Sequence, residues 1–213
     1  MVARIEQLAV GRPTVVSHNG KEVSTAIFKS PVAGRAAVSL TNIDGDRQAD
    51  LAVHGGRDKA VYVYPATHYA TWARELGVAS LEPAQFGENL TVGGLDETTV
   101  TIGSRYRFGS TVAVVAQPRL PCFKLGIRMG DDRFPRRFLA SGRLGFYLRV
   151  EQEGDVGAGD AFELIEQPTH DISVRRLWQI AFDGGTPVEA RQALELLPHL
   201  DDGWIRRLRK LAG

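Results

Sequence analysis

The chain has 213 residues, 43% of them hydrophobic and 24% charged, with 26 basic and 25 acidic side chains giving a net charge of +1. That balance gives room for one medium domain and a small appendage, and it excludes disorder and collagen-like structure. It also argues against a duplex nucleic acid as partner, because phosphate backbones select a clear basic excess.

Cys122 is the single cysteine, which excludes an intramolecular disulfide and a cage built of cysteines alone. No window approaches the roughly 18 to 20 unbroken apolar residues of a membrane span. The opening MVARIEQLAVGRP carries Arg4 and Glu6 within its apolar stretch and lacks a signal-peptide core. These features lead us to expect a reduced, cytoplasmic chain with no membrane partner.

Up to about Pro168 the chain consists of short β-branched runs separated by glycine-containing turns. They are Val23 to Phe28, Ala36 to Leu40, Asn89 to Val92, Thr99 to Ile102, Tyr106 to Phe108, Thr111 to Ala116 and Phe146 to Val150. Arg105 to Phe108 alternates at period two, and Gly109-Ser110 opens a turn into Thr111 to Val115, the pattern of a hairpin. Many short strands with frequent turns favour a barrel or sandwich. One helix interrupts them, with Pro65 in its first turn, Ala66, Tyr69, Ala70, Ala73 and Leu76 on one face, and Gly77 at its end. A second helix starts near Pro121-Cys122 and a third covers Phe134 to Ala140.

After Pro168 the pattern becomes helical: Val174 to Phe182, Pro187 to Leu197 and Asp202 to Leu211. The middle helix opens with Thr186-Pro187-Val188-Glu189, a capping box with proline at the first helical position. We therefore divide the chain into a β domain, 1–168, and a three-helix domain, 169–213. Seven basic and six acidic residues in the tail make groove binding a weak reading. Its amphipathic faces suit packing, or a homodimer through the helices of Trp178 and Trp204.

The chemistry concentrates in three segments. In Gln117-Pro118-Arg119-Leu120-Pro121-Cys122-Phe123-Lys124-Leu125, two prolines restrict the backbone before the thiol and two cations flank it. A helix starting after Pro121 would add its positive end. All three features favour the thiolate, the form that binds metal or attacks; the alternative is an inert buried cysteine. In His54-Gly55-Gly56-Arg57-Asp58-Lys59 the glycines could let backbone N–H groups approach an anion, although the segment reads as well as a polar turn with a satisfied histidine. In Phe86-Gly87-Glu88-Asn89-Leu90 a carboxylate beside an amide suits the edge of a ring, and equally a turn entering a strand. Lys29 adds a further cation. Serine-hydrolase and HExxH patterns are missing.

Together HGGRDKAVYVYP (His54 to Pro65), FGENL (Phe86 to Leu90) and QPRLPCFKL (Gln117 to Leu125) resemble the MOSC family, and STAIFKSPV (Ser24 to Val32) with the helical tail is similar to its YiiM-type branch. The resemblance implies a mainly β fold with α: a MOSC-type β-barrel with interspersed helices and a small C-terminal three-helix domain. It implies binding of the molybdopterin form of the molybdenum cofactor, with Cys122 as ligand to molybdenum. It further implies reduction of N-hydroxylated purine bases and amidoximes to amines, with electrons from a separate flavin or iron–sulfur redox protein. The cofactor-binding set would be Lys29, Gly55, Gly56, Arg57, Lys59, Gly87, Glu88, Asn89, Arg119 and Lys124. His54 is the one candidate for proton transfer. A persulfide carrier in cofactor maturation, which would need a partner because no pyridoxal-phosphate domain is present, and a non-catalytic cofactor binder are the competing readings.

Overall fold

The computed structural model describes residues 2–49 and 55–213. Twelve strands and six α-helices are formed by the described residues. In chain order the strands are β1 (Arg4–Val10), β2 (Thr14–His18), β3 (Lys21–Thr25), β4 (Ser30–Pro31), β5 (Arg35–Val38), β6 (Val61–Pro65), β7 (Leu90–Gly93), β8 (Arg105–Phe108), β9 (Thr111–Pro118), β10 (Phe146–Gln152), β11 (Gly154–Gly157) and β12 (Phe162–Glu166). The helices are α1 (Thr67–Leu76), α2 (Phe123–Met129), α3 (Phe134–Ser141), α4 (Val174–Phe182), α5 (Pro187–Leu196) and α6 (Asp202–Ala212).

Eight strands form one sheet in the order β12-β8-β9-β10-β6-β7-β1-β4. Neighbours are antiparallel except β6 and β7, which run parallel across the connection that holds α1. The sheet then closes on itself. Arg4 bridges Ala161, Ile5 N donates to Asp160 O at 3.0 Å, and Phe162 N donates to Ala3 O at 2.8 Å, so β1 meets the start of β12. Closure satisfies edges that an open sheet would expose. β2 with β3, and β5 with β11, form separate two-stranded ribbons.

The β8–β9 hairpin forms as the period-two alternation predicts, with Phe108 opposite Thr111. All eight positions of β9 are buried, because one face looks into the barrel core and helices of the tail cover the other. Two expectations need correction. Thr99 to Ile102 is a turn with a single bridge from Thr101 to Ser173. Its backbone is satisfied by the chain entering the tail, Ile102 N donating to Ile172 O at 3.0 Å and Val174 N to Val100 O at 2.9 Å. Val23 to Phe28 stops being a strand at Thr25, where the Thr25 hydroxyl accepts from Ile27 N at 3.2 Å and turns the chain.

Helix α1 starts two residues after Pro65, which ends β6, and closes on Gly77 in the left-handed region at φ 70°. Its buried face is Trp72 and Ala73, while Ala70 is exposed. The burial direction is set by an aromatic cluster of Tyr64, Trp72, Phe86, Phe134 and Phe138, in which Tyr64 and Phe86 lie 4.4 Å apart and Trp72 and Phe134 5.1 Å apart. Helices α4 to α6 pack Leu177, Trp204 and Leu208 into a hydrophobic cluster continuous with the barrel core. The capping box forms as the sequence predicts, Thr186 N reaching Glu189 Oε2 at 2.8 Å and Glu189 N reaching Thr186 Oγ1 at 3.3 Å. No helix among the described residues is long and apolar enough to cross a membrane.

Candidate functional site

Turns and strand ends from six parts of the chain meet at one side of the barrel and enclose a solvent-open cleft of about 660 Å³. Its walls come from the turn after β3, residues 46–49, Lys59, Tyr62 of β6, Gly87 and Asn89 before β7, the link from β9 to α2, and Tyr147 of β10. The described lining holds five cations, Lys29, Arg47, Lys59, Arg119 and Lys124, against one carboxylate, Asp46. On a chain of net charge +1 this is a local concentration of positive charge, and a concave positive wall attracts anions.

The inner wall is organised by Asp46, which is 2% exposed. It accepts from Gly11 N at 2.7 Å and from Asn89 Nδ2 at 3.1 Å, and it pairs with the Lys29 ammonium. Burial pulls the Lys29 pKa below the ordinary lysine value, while Asp46 works to hold its charge. Asn89 is committed to the scaffold: its Oδ1 accepts from Tyr62 N at 3.1 Å and its Nδ2 also donates to Ala9 O at 3.3 Å. Sequence reasoning assigned no role to Asp46. The available signal was the need of a buried lysine for a partner.

Arg119 is buried with its guanidinium 4.6 Å from the centre of the Tyr62 ring, and it donates to Phe86 O. One side chain thereby ties the thiol-bearing segment to the Gly87 turn. Gly87 lines the cleft at φ 78°, and a Cβ there would lie 2.8 Å from Ile27 Cγ1, so glycine alone fits. Cys122 is half-buried, lines the cleft and occupies the N-cap of α2 at φ −117°, as expected from Pro121. Lys124, in the first turn of α2, lines the same cleft.

Glu88 does not line the cleft. Fully buried, it accepts from Phe86 N and Thr91 Oγ1, both at 3.1 Å, and from the Tyr69 hydroxyl. It braces the turn from behind, and burial raises its pKa against those donors. Gly56, at φ 97°, caps the short 3-10 turn Arg57–Lys59 and is exposed, as is Arg57. Neither these two nor Gly55 lines the cleft, whereas Lys59 does. His54 lies outside the described residues.

The tail reaches the site as well. Lys59 Nζ lies 2.8 Å from Asp201 Oδ2, whose other oxygen caps α6 through Trp204 N at 3.0 Å. Asp201 N donates to Gln117 Oε1 at 2.7 Å, and the Trp204 indole donates to Pro118 O at 2.9 Å. The segment leading to Cys122 is thus held by the first turn of the last helix. Sequence reasoning missed Tyr62 and Tyr147 as cleft residues. Alternation in the two strands offered a signal, since Val61, Val63, Phe146 and Leu148 mark the complementary positions.

Comparison with known proteins agrees with this architecture. The sequence model of the MOSC domain matches residues 50–163, a span that holds Lys59, Gly87, Asn89, Arg119, Cys122, Lys124 and Tyr147. Protein YiiM of Escherichia coli is 34% identical over 191 residues, covering 87% of this chain and 84% of that protein. A protein named reductase from Gibberella moniliformis is 34% identical over 164 residues, 76% of this chain but 29% of that longer protein. The crystal structure of YiiM from Geobacillus stearothermophilus superposes with a TM-score of 0.81 at 29% identity, covering 99% of this chain and 100% of that one. Matching motifs, a shared barrel with its helical tail, and identity spread along most of the sequence place this chain in the MOSC domain family, the molybdenum cofactor sulfurase-like domains.

Proposed function

We propose that this protein is a molybdenum cofactor-dependent oxidoreductase that reduces N-hydroxylated compounds, among them N-hydroxylated purine bases and amidoximes, to the corresponding amines. The observation that carries the reading is a single cleft in which the thiol of Cys122 is surrounded by five cations and one carboxylate. Among the described residues no group of three or more His, Cys, Asp or Glu side chains is placed to cage a metal. The donor set therefore suits a metal that arrives with its own organic ligand and takes one soft thiolate from the protein.

Cys122 would be that thiolate. Lys29, Arg47, Lys59, Arg119 and Lys124 would hold the anionic parts of the cofactor, with Asp46 pairing with Lys29 and favouring its charged form. When bound, the cofactor supplies the two-electron redox chemistry. The chain's own residues bind and orient: Arg119 and the Gly87 turn fix the distance between the two walls, and Lys59 brings the C-terminal helix to the rim. The reaction consumes two electrons and two protons, breaks the N–O bond and releases water. Electrons would come from a separate flavin or iron–sulfur protein. The reductase named among the relatives is consistent with an oxidoreductase.

The test is molybdenum by elemental analysis on protein from a host that makes the cofactor, beside Cys122→Ser, followed by turnover of an N-hydroxylated base with a chemical reductant. Near-stoichiometric metal in the wild type that is lost in the variant, with turnover by the wild type alone, is expected. No molybdenum in either protein, with the cofactor demonstrably present in the host, sinks the reading. A persulfide on Cys122 in the same samples would then point to sulfur transfer.

A further inference from the structure

Tyr147 projects from β10 into the cleft, and its hydroxyl has no hydrogen-bond partner among the described residues. The neighbouring phenols are all engaged. Tyr62 donates to Leu144 O at 2.7 Å, Tyr64 to Arg143 O at 3.2 Å, and Tyr69 to Glu88. The Tyr147 ring is fixed against Tyr62, 5.3 Å between centroids, and Tyr62 in turn carries Arg119 over its face. Tyr147 shares the cleft wall with Arg119 and Cys122. A phenol, with an ordinary pKa of about 10, keeps its proton at neutral pH. A donor without an acceptor among the described residues, in the same cleft as the thiol, is poised to bond an oxygen of a bound molecule.

We propose that Tyr147 is a specificity-determining residue whose O–H donates to the N–O oxygen of the N-hydroxylated substrate, so that the cleft distinguishes the hydroxylated compound from its amine product. The inference rests on the reductase reading above and adds to it the group that recognises the oxygen to be removed. The amine lacks that oxygen and leaves Tyr147 to water, which favours release of product over substrate. No side chain among the described residues hydrogen-bonds the hydroxyl, so Tyr147→Phe removes one atom and orphans none of them.

The experiment is a calorimetric titration of oxidised holoenzyme, without electron donor, with an N6-hydroxylated purine base and with its parent amine. Without electrons the substrate binds and is not consumed. The wild type is expected to bind the hydroxylated base about tenfold more tightly than the amine, the worth of one neutral hydrogen bond, while Tyr147→Phe binds both alike. A variant that keeps the wild-type ratio overturns the role of Tyr147 and leaves the reductase reading standing, provided that molybdenum is present in both samples. A wild type that holds no molybdenum and binds the two bases equally overturns both.

Discussion

The aromatic cluster beneath α1 and α3 and the cleft beside it are built from the same materials and do opposite things with them. In the cluster the Trp72 indole donates to the Tyr64 hydroxyl at 2.7 Å, which donates to Arg143 O, while Glu97 accepts from Gly145 N at 2.8 Å and pairs with His68. Arg143 lies 4.0 Å over the Trp72 ring and pairs with Glu75. Most polar atoms there are committed to neighbours, with Arg143 Nε an exception that packs against the Trp72 ring without a hydrogen-bond partner among the described residues. In the cleft, Lys124 has no ion pair and Tyr147 no hydrogen bond among the described residues, and cations outnumber carboxylates. Strand β6 serves both regions, with Tyr62 in the cleft and Tyr64 in the cluster. A functional surface is recognised here by polar groups that the fold positions and does not satisfy.

Substitutions in the two regions should therefore separate stability from ligand content. Phe138→Ala in the cluster removes a fully buried ring and should cost about 3–5 kcal/mol in urea unfolding, with molybdenum per folded molecule unchanged. Asp46→Ala tests where the boundary lies. Although it lines the cleft, this carboxylate is buried with Lys29, so its loss should destabilise by about 3–5 kcal/mol, most of it recovered when Lys29→Met is added. A cost below about 1 kcal/mol would show that water compensates Lys29 and that the whole cleft wall is soft.

Glu88→Gln addresses the brace between the regions. Burial holds the Glu88 pKa above its ordinary 4.5, so from that value up to the raised one the native state binds more protons than the unfolded chain. The wild type accordingly loses stability as pH rises through that window, and glutamine has no such dependence. The stability of the wild type relative to the variant should fall as pH rises from 4.5 toward neutrality. Urea midpoints for both proteins across that range check the sign, and a rise would contradict it. The smallest effect on folding belongs to Lys124→Ala, within about 0.5 kcal/mol. Its binding of inorganic pyrophosphate, measured by calorimetry, should nonetheless weaken, since the ammonium faces the cleft without an ion pair among the described residues.

Much of the site is legible in local sequence pattern. Pro121 followed by a thiol predicts a helix start at Cys122, and Cys122 is the N-cap of α2. Lys29, Lys59, Gly87, Asn89, Arg119 and Lys124 all reach the cleft. Arg57 and Glu88 belong to the same short motifs and do not, because adjacent residues in a turn or strand face opposite ways. Asp201 stands 142 positions from Lys59 in the sequence and 2.8 Å from it in space, a pairing that no local pattern announces.

Sequence alone was sufficient for the punctuation of the chain: the Thr186–Glu189 capping box, the Gly77 helix end, the hairpin at Gly109-Ser110 and the strand-rich body with its helical tail. Each of these is encoded within a few residues by dihedral preference and local hydrogen bonding. The closing of β1 onto β12, the turning of Glu88 away from the cleft, the pairing of Asp46 with Lys29 and the open hydroxyl of Tyr147 came from the assembled barrel. They depend on which distant strands become neighbours, and that choice is made by burial of the whole core rather than by any segment within it.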